Sequence, residues 1–225
     1  MQLNEVVAWG RSLREYKQMF SLSEADLQGN ILGCGDGPAS FNAEITAAGG
    51  NVISVDPIYG FSANQIESRV NKASHNIAQQ LEINKANYIW ALFENVEGVV
   101  SSRLSAMKVF LKDYEIGRTN GRYIEASLPV LPFQEKQFSL AVCSHFLFLY
   151  SSHINEEQHI KGVLELCRVA KEVRVYPLVT LDGQPSSHLV PVIRAVTAAG
   201  YSVEVIAVPY SFQKNATEML VLKGA

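Results

Sequence analysis

Apolar and polar positions alternate between two periods along this chain. Short aliphatic and β-branched runs bounded by glycine, proline, asparagine or aspartate predict strands at Asn30–Leu32, Val52–Val55, Arg122–Ala126, Leu140–Cys143, Val173–Val179, Val203–Val208 and Glu218–Leu222. Between them, apolar residues recur at three- and four-residue spacing. This predicts helices over Asn4–Phe20, Ala39–Ala48, Ala63–Leu81, Val99–Tyr114, Glu156–Val169 and His188–Ala199. Ser23 is placed to cap a short turn through Leu27, and Gly200 to end the last helix. The aromatic run Tyr88–Phe93 reads as a further short helix. In the Val99–Tyr114 helix, Val100, Leu104, Met107 and Leu111 form the apolar stripe, with Arg103, Lys108, Lys112 and Asp113 outside it.

Strands that alternate with helices call for an α/β, doubly wound, mostly parallel sheet. The connection between the last two strands is too short for a crossover helix, so that pair is antiparallel. Residues 62–121 exceed the single helix that normally joins such strands, and read as a helical insertion between strands 2 and 3. Residues 1–27 read as an N-terminal helical extension, and 1–225 as one domain. The insertion is either scaffold or a lid.

With 48% hydrophobic and 18% charged residues, the chain is expected to fold. A formal net charge of -3 carries no nucleic-acid footprint, so nucleic acid is an unlikely partner. Three cysteines, Cys34, Cys143 and Cys167, match no metal spacing and argue against a disulfide framework. No signal segment and no apolar run long enough for a membrane span is read, so no membrane partner is expected and a cytoplasmic location is. The pattern is silent on oligomeric state.

The chemistry concentrates in Asn30–Asp56, N-I-L-G-C-G-D-G-P-A-S-F-N-A-E-I-T-A-A-G-G-N-V-I-S-V-D. A strand runs into Gly33, Gly35 and Gly37, Pro38 opens a helix, and a second strand ends in Asp56. Glycines let a ligand approach the main chain, a helix start offers free N–H groups, and a carboxylate at the next strand's tip can take ribose hydroxyls. The dinucleotide fingerprint needs a glycine where Pro38 stands, which weighs against a second reading, an NAD(P)-dependent Rossmann oxidoreductase.

The G-x-G-x-G spacing in I-L-G-C-G-D-G resembles motif I of the class I S-adenosylmethionine (SAM) methyltransferases. Ser127–Phe133 (S-L-P-V-L-P-F) and Q-F-S-L-A-V-C-S-H resemble their later motifs in order. The resemblance covers Gln28 to the C-terminus apart from the insertion. It implies a Rossmann-like seven-stranded sheet with the last strand antiparallel, and SAM as cofactor. It further implies cofactor-binding roles for Gly33, Cys34, Gly35, Gly37, Asp56, Pro57, Ser127, Leu128 and Ser144. Three motif acids are missing, at Ile31, Ser127 and Ser139. Their absence is the ground for a third reading, a SAM-binding module without catalysis.

Methyl transfer depends chiefly on positioning, and a base helps an O or N acceptor. His145, just past the fourth strand, is the candidate catalytic residue, with a loop-fixing histidine as its alternative; His188 is second. His75, His153 and His159 show no constellation, and no metal site is read. Trp9, Tyr16 and Phe20 are expected to pack against the sheet domain, with Arg11 and Tyr16 as candidates to touch cofactor or substrate. Tyr59, Phe148, Tyr176, Tyr210 and Phe212 could shape an apolar acceptor pocket, though most are expected to be core or lid packing. The fourth strand leads into C-S-H-F rather than the N/D-P-P-Y/F of amino-methylating enzymes. Cys143, lying within a strand, does not fit the loop cysteine that nucleophilic RNA methyltransferases use. By elimination the acceptor is expected to be a small molecule or a lipid-like apolar compound.

Overall fold

The computed structural model describes residues 9–224. Its seven strands are β1 (Asn30–Cys34), β2 (Asn51–Val55), β3 (Tyr123–Ile124), β4 (Phe138–Ser144), β5 (Ala170–Tyr176), β6 (Ser202–Ala207) and β7 (Glu218–Lys223). They form one sheet in the order β3-β2-β1-β4-β5-β7-β6. The first five pair in parallel, while β7 runs antiparallel to both β5 and β6. This is the architecture expected from the strand pattern and the resemblance.

Alternation along the strands divides the core between the two faces of the sheet. Leu32, Ala141, Cys143, Leu220 and Leu222 pack with α6 (Glu156–Val169) and α7 (Leu189–Ala198) on one face. Ile31, Leu140, Val142, Met219 and Val221 pack on the other with α1 (Leu13–Met19) and α3 (Phe41–Ala47). A fully buried aliphatic side chain contributes about 1.5–3 kcal/mol, so a one-residue slip of any central strand is excluded energetically. A four-residue α2 (Glu24–Leu27) is capped by Ser23, as expected.

The insertion consists of α4 (Ala63–Ile83) and α5 (Val96–Thr119), which pack on each other between β2 and β3 in the chain. Ser62 caps α4 in a reciprocal box with Gln65, and the Asn95 side chain accepts from Gly98 N at the start of α5. Their shared core includes Ile66, Val70, Met107, Phe110 and Tyr114, joined to Tyr59 and Tyr123 of the sheet edge.

Several boundaries differ from the sequence reading. Asn4–Ala8 lie outside the described residues, and within the described part the first helix begins only at Leu13, where Ser12 and Glu15 form a capping box. Pro38 does not open α3; Ser40 precedes the first helical residue, Phe41. Tyr88–Phe93 is a turn, because its rings pack around Phe212 instead of following a helical face. The buried stripe of α5 is rotated from the expected one, running through Val99, Arg103, Ala106, Phe110 and Tyr114. Arg103, expected outside, is 1% exposed.

Candidate functional site

A cavity of about 300 Å3 opens beyond the carboxyl ends of β1, β2 and β4, where open α/β sheets bind ligands. That volume suits a small-molecule site. Cys34, Gly35, Gly37, Asp56, Pro57, Ser127, Leu128, Ser144 and His145, all expected there from sequence, line it. Gly33 does not. It sits inside β1, where a Cβ would stand 1.8 Å from Asp36 Oδ2. Its bareness makes room for the protein's own carboxylate, not for a ligand.

The loop after β1 is held open by its backbone and by two long-range partners. Gly35 and Gly37 have φ of +72° and +56°, in the left-handed region that disfavours other residues. A Cβ on Gly35 would also press on Phe146 at 3.1 Å. Asp56 fixes the loop from the tip of β2: Gly37 N donates to its Oδ2 and Ile58 N to its Oδ1, each at 2.9 Å. The Tyr59 hydroxyl donates to Gly37 O at 2.8 Å. Each Asp56 oxygen keeps capacity for another donor. Burial raises the Asp56 pKa, while the two N–H donors oppose that shift.

Sequence reasoning missed Asp36. It lines the cavity, is 5% exposed, and accepts from Tyr16 Oη (2.7 Å) and Ser54 Oγ (2.7 Å). Burial pushes its pKa up to about 7, with Asp56 adding to the rise and the two hydroxyls opposing it. The available signal was an acid inside the glycine loop itself. Tyr16 is thus a support for Asp36 and does not line the cavity. Arg11 and Trp9 do line it.

His145 has φ of 50°, its N–H donates to Tyr176 O at 2.7 Å, and its Nδ1 lies 3.0 Å from Ser144 Oγ. Burial, and then the positive charges of Arg11 and Arg103, push its pKa well below the usual 6.5. The ring is therefore held neutral at pH 7, with burial and the two cations opposing its protonated form.

The three missing motif acids have separate explanations. Ile31 is wholly buried in the core. Ser127 lines the cavity. Ser139 lies at the start of β4, bonded to Asn30 O at 2.8 Å, away from the cavity at the strand's other end. Among the aromatic candidates, Tyr59, Phe148, Tyr176 and Tyr210 are core residues, each at most 1% exposed. Phe212 lines a second, smaller chamber. His188 lines neither. His159, expected to stand alone, is buried with its ring 4.5 Å from that of His188. Among the described residues no group of three or more His, Cys, Asp or Glu could hold a metal. No helix there is long and apolar enough to cross a membrane.

Sheet order, reversed β7 and cavity together define the fold of the class I SAM-dependent methyltransferases. The mitomycin 7-O-methyltransferase MmcR shares this fold, with a TM-score of 0.51 and 10% identity over 95% of this chain and 54% of its own. Magnesium protoporphyrin IX methyltransferase from Synechocystis PCC 6803, solved with SAM bound, gives a TM-score of 0.49 at 11% identity, covering 90% of this chain and 73% of that one. No model of a known protein family matches the sequence. The chain belongs to the same family as the uncharacterized protein MJ0045 of Methanocaldococcus jannaschii. The two are 30% identical over 224 residues, covering 99% of this chain and 98% of the other.

Proposed function

We propose that this protein transfers a methyl group from SAM to a small-molecule acceptor. The observation that supports this most is the pairing of bare backbone at Gly35–Gly37 with the Asp56 carboxylate on one cavity at the strand ends. Gly35 and Gly37 would face the methionyl side of the cofactor, Asp56 its ribose hydroxyls, and Ser127 and Leu128 its adenine. Cys34, Pro57 and Ser144 complete the walls. When bound, the cofactor supplies a methyl group on a sulfonium, open to in-line displacement.

The chain's own residues then have three tasks. The loop and Asp56 hold the donor in a fixed orientation, and such positioning can lower a barrier by up to about 7–11 kcal/mol. Asp56, together with Asp36 in its ionised fraction, supplies negative potential that favours a cation in the cavity. His145, neutral at pH 7, accepts the proton that an O–H or N–H acceptor gives up as the new bond forms. In this reading 1–225 works as one catalytic domain, and 62–121 walls the site. Three free, buried cysteines suit a reducing cytoplasm.

Calorimetric titration with SAM, S-adenosylhomocysteine (SAH), NADH and NADPH tests the proposal, followed by measuring SAH released from SAM in the presence of small-molecule extract fractions. SAM and SAH are expected to bind, and a fraction to be methylated. Binding of a dinucleotide alone would overturn the reading in favour of an oxidoreductase; binding of SAM without turnover on any fraction would reduce it to a binding module.

A further inference from the structure

A second chamber, of about 80 Å3, adjoins the cofactor cavity and shares Trp9, Arg11 and His145 with it. We propose that this chamber receives the methyl acceptor, and that the acceptor is a compact aromatic acid whose carboxylate pairs with Arg11. This rests on the methyltransferase reading above.

The chamber's walls select a flat apolar body. Ile77 and Leu81 come from α4, Tyr88 from the turn after it, and Phe212 from the loop before β7. The Tyr88 and Phe212 rings are stacked at 4.8 Å between centroids, so aromatic surface is already fixed there. An inserted ring gains edge or face contacts with such a wall beyond simple burial. The volume limits the inserted body to about the size of one ring.

The charge selects an anion. Among the described residues no aspartate or glutamate lines the chamber, and Arg11 is the single charged residue there, since His145 is held neutral. Arg11 is also under-partnered. Its Nη1 donates to Trp9 O at 3.1 Å, while its Nε is buried with no partner among the described residues. The neighbouring carboxylate, Glu15, is already engaged: Arg103 Nη1 lies 2.6 Å from both of its oxygens, and Tyr210 Oη donates to one at 2.9 Å. Glu15 thus acts on Arg11 through its charge alone. A half-buried cation left in that state is unfavourable, and a ligand carboxylate is the planar, two-oxygen partner a guanidinium fits. Trp9 Nε1, buried without a partner among the described residues, is a further donor at the same junction.

A carboxylate could also be the cofactor's own, and the test separates the two sources. Benzoate, benzyl alcohol and benzylamine are titrated by ligand-observed NMR into the protein with and without SAH, for wild type, Arg11→Gln, Arg11→Lys and Leu181→Trp, the last enlarging a residue that lines the chamber and so narrowing it. SAH affinity is measured for each variant. Benzoate is expected to bind the SAH-loaded protein at least tenfold more tightly than benzylamine. Arg11→Gln should weaken benzoate tenfold or more, beyond any loss of SAH affinity, with partial recovery in Arg11→Lys. Leu181→Trp should exclude benzoate. The proposal is overturned if benzylamine or benzyl alcohol binds as well as benzoate, if no probe binds the SAH-loaded protein, or if Arg11→Gln weakens SAH more than benzoate. That last outcome assigns the anion to the cofactor. Failure of SAH itself to bind the wild type overturns the methyltransferase reading instead, and benzoate in the SAH-free titration then reports on the chamber alone.

Discussion

Asp36 reaches about 7 because the folded chain strips its carboxyl of water, with Asp56 as a second, like-charged influence. An ordinary carboxyl in the unfolded chain titrates near 3.8. Between those two values the folded protein holds a proton that the unfolded chain has released. The contribution of Asp36 to stability should therefore fall as pH rises from about 4 to about 7 and level off above that, by at most about 4 kcal/mol. Asp36→Asn keeps an acceptor for Tyr16 and removes the titration. Urea unfolding of both proteins from pH 4.5 to 8 should show the wild-type curve falling relative to the variant; parallel curves would refute the assignment. Asp56 differs in having two backbone N–H partners and unused acceptor capacity. Asp56→Ala is expected to weaken SAH binding by roughly 1.5–3 kcal/mol, the range of a hydrogen bond to a charged group, and unchanged affinity in calorimetry would take Asp56 out of the site. Asp56 was legible in sequence because its role follows from a local spacing. Asp36 was not, because its state depends on Tyr16 and Ser54, each 18 or more residues away along the chain.

The N-terminal helix is locked to the insertion by one buried ion pair. Glu15 on α1 and Arg103 on α5 are 3% and 1% exposed, with Tyr210 closing the cluster from the loop before β7. The pairing, led by the neighbouring Glu15 charge, outweighs burial and raises the Arg103 pKa; Arg103 in turn lowers that of Glu15. Removing one partner leaves the other charge buried and alone. Arg103→Met should thus cost about 3–5 kcal/mol of stability in chemical denaturation, and Arg103→Met with Glu15→Leu should recover much of it. A double variant no more stable than the single one would show that the charge was not the cause. This pair also explains the misplaced stripe on α5. Polarity patterning puts every arginine in solvent, and only a partner 88 residues away reverses that. Where a helix obeys ordinary amphipathicity the sequence reading matched: α6 runs over Glu156–Val169, the range its pattern predicts. The start of α1 was missed for a different reason, since the Ser12–Glu15 capping box sets it and apolar periodicity does not.

The molecule as a whole joins a well-specified sheet to a cavity whose far wall comes from the least conventional part of the chain. Strand order followed from the alternation of strands and helices, because parallel pairing and a short final connection leave few topologies. Of the wall only Arg11 was anticipated, because Trp9, Arg69 and Ala73 lie outside the β-loop-α unit and meet it only in the fold. A ligand in that cavity therefore bridges the sheet ends, α4 and the segment before α1, and should stabilise them together. At a concentration 100 times its dissociation constant, a ligand that binds only the folded state adds about 2.7 kcal/mol. In a chain of 225 residues that corresponds to a rise in Tm of roughly 5–10 °C. SAH is expected to give this shift and NADPH none. Hydrogen exchange should show added protection in residues 9–11, 33–37, 56–61 and 69–73, with β6 and α7, on the remote side of the sheet order, unchanged. Protection confined to the glycine loop, with the α4 segment exchanging as in the free protein, would mean that the insertion stands apart from the bound cofactor and walls nothing.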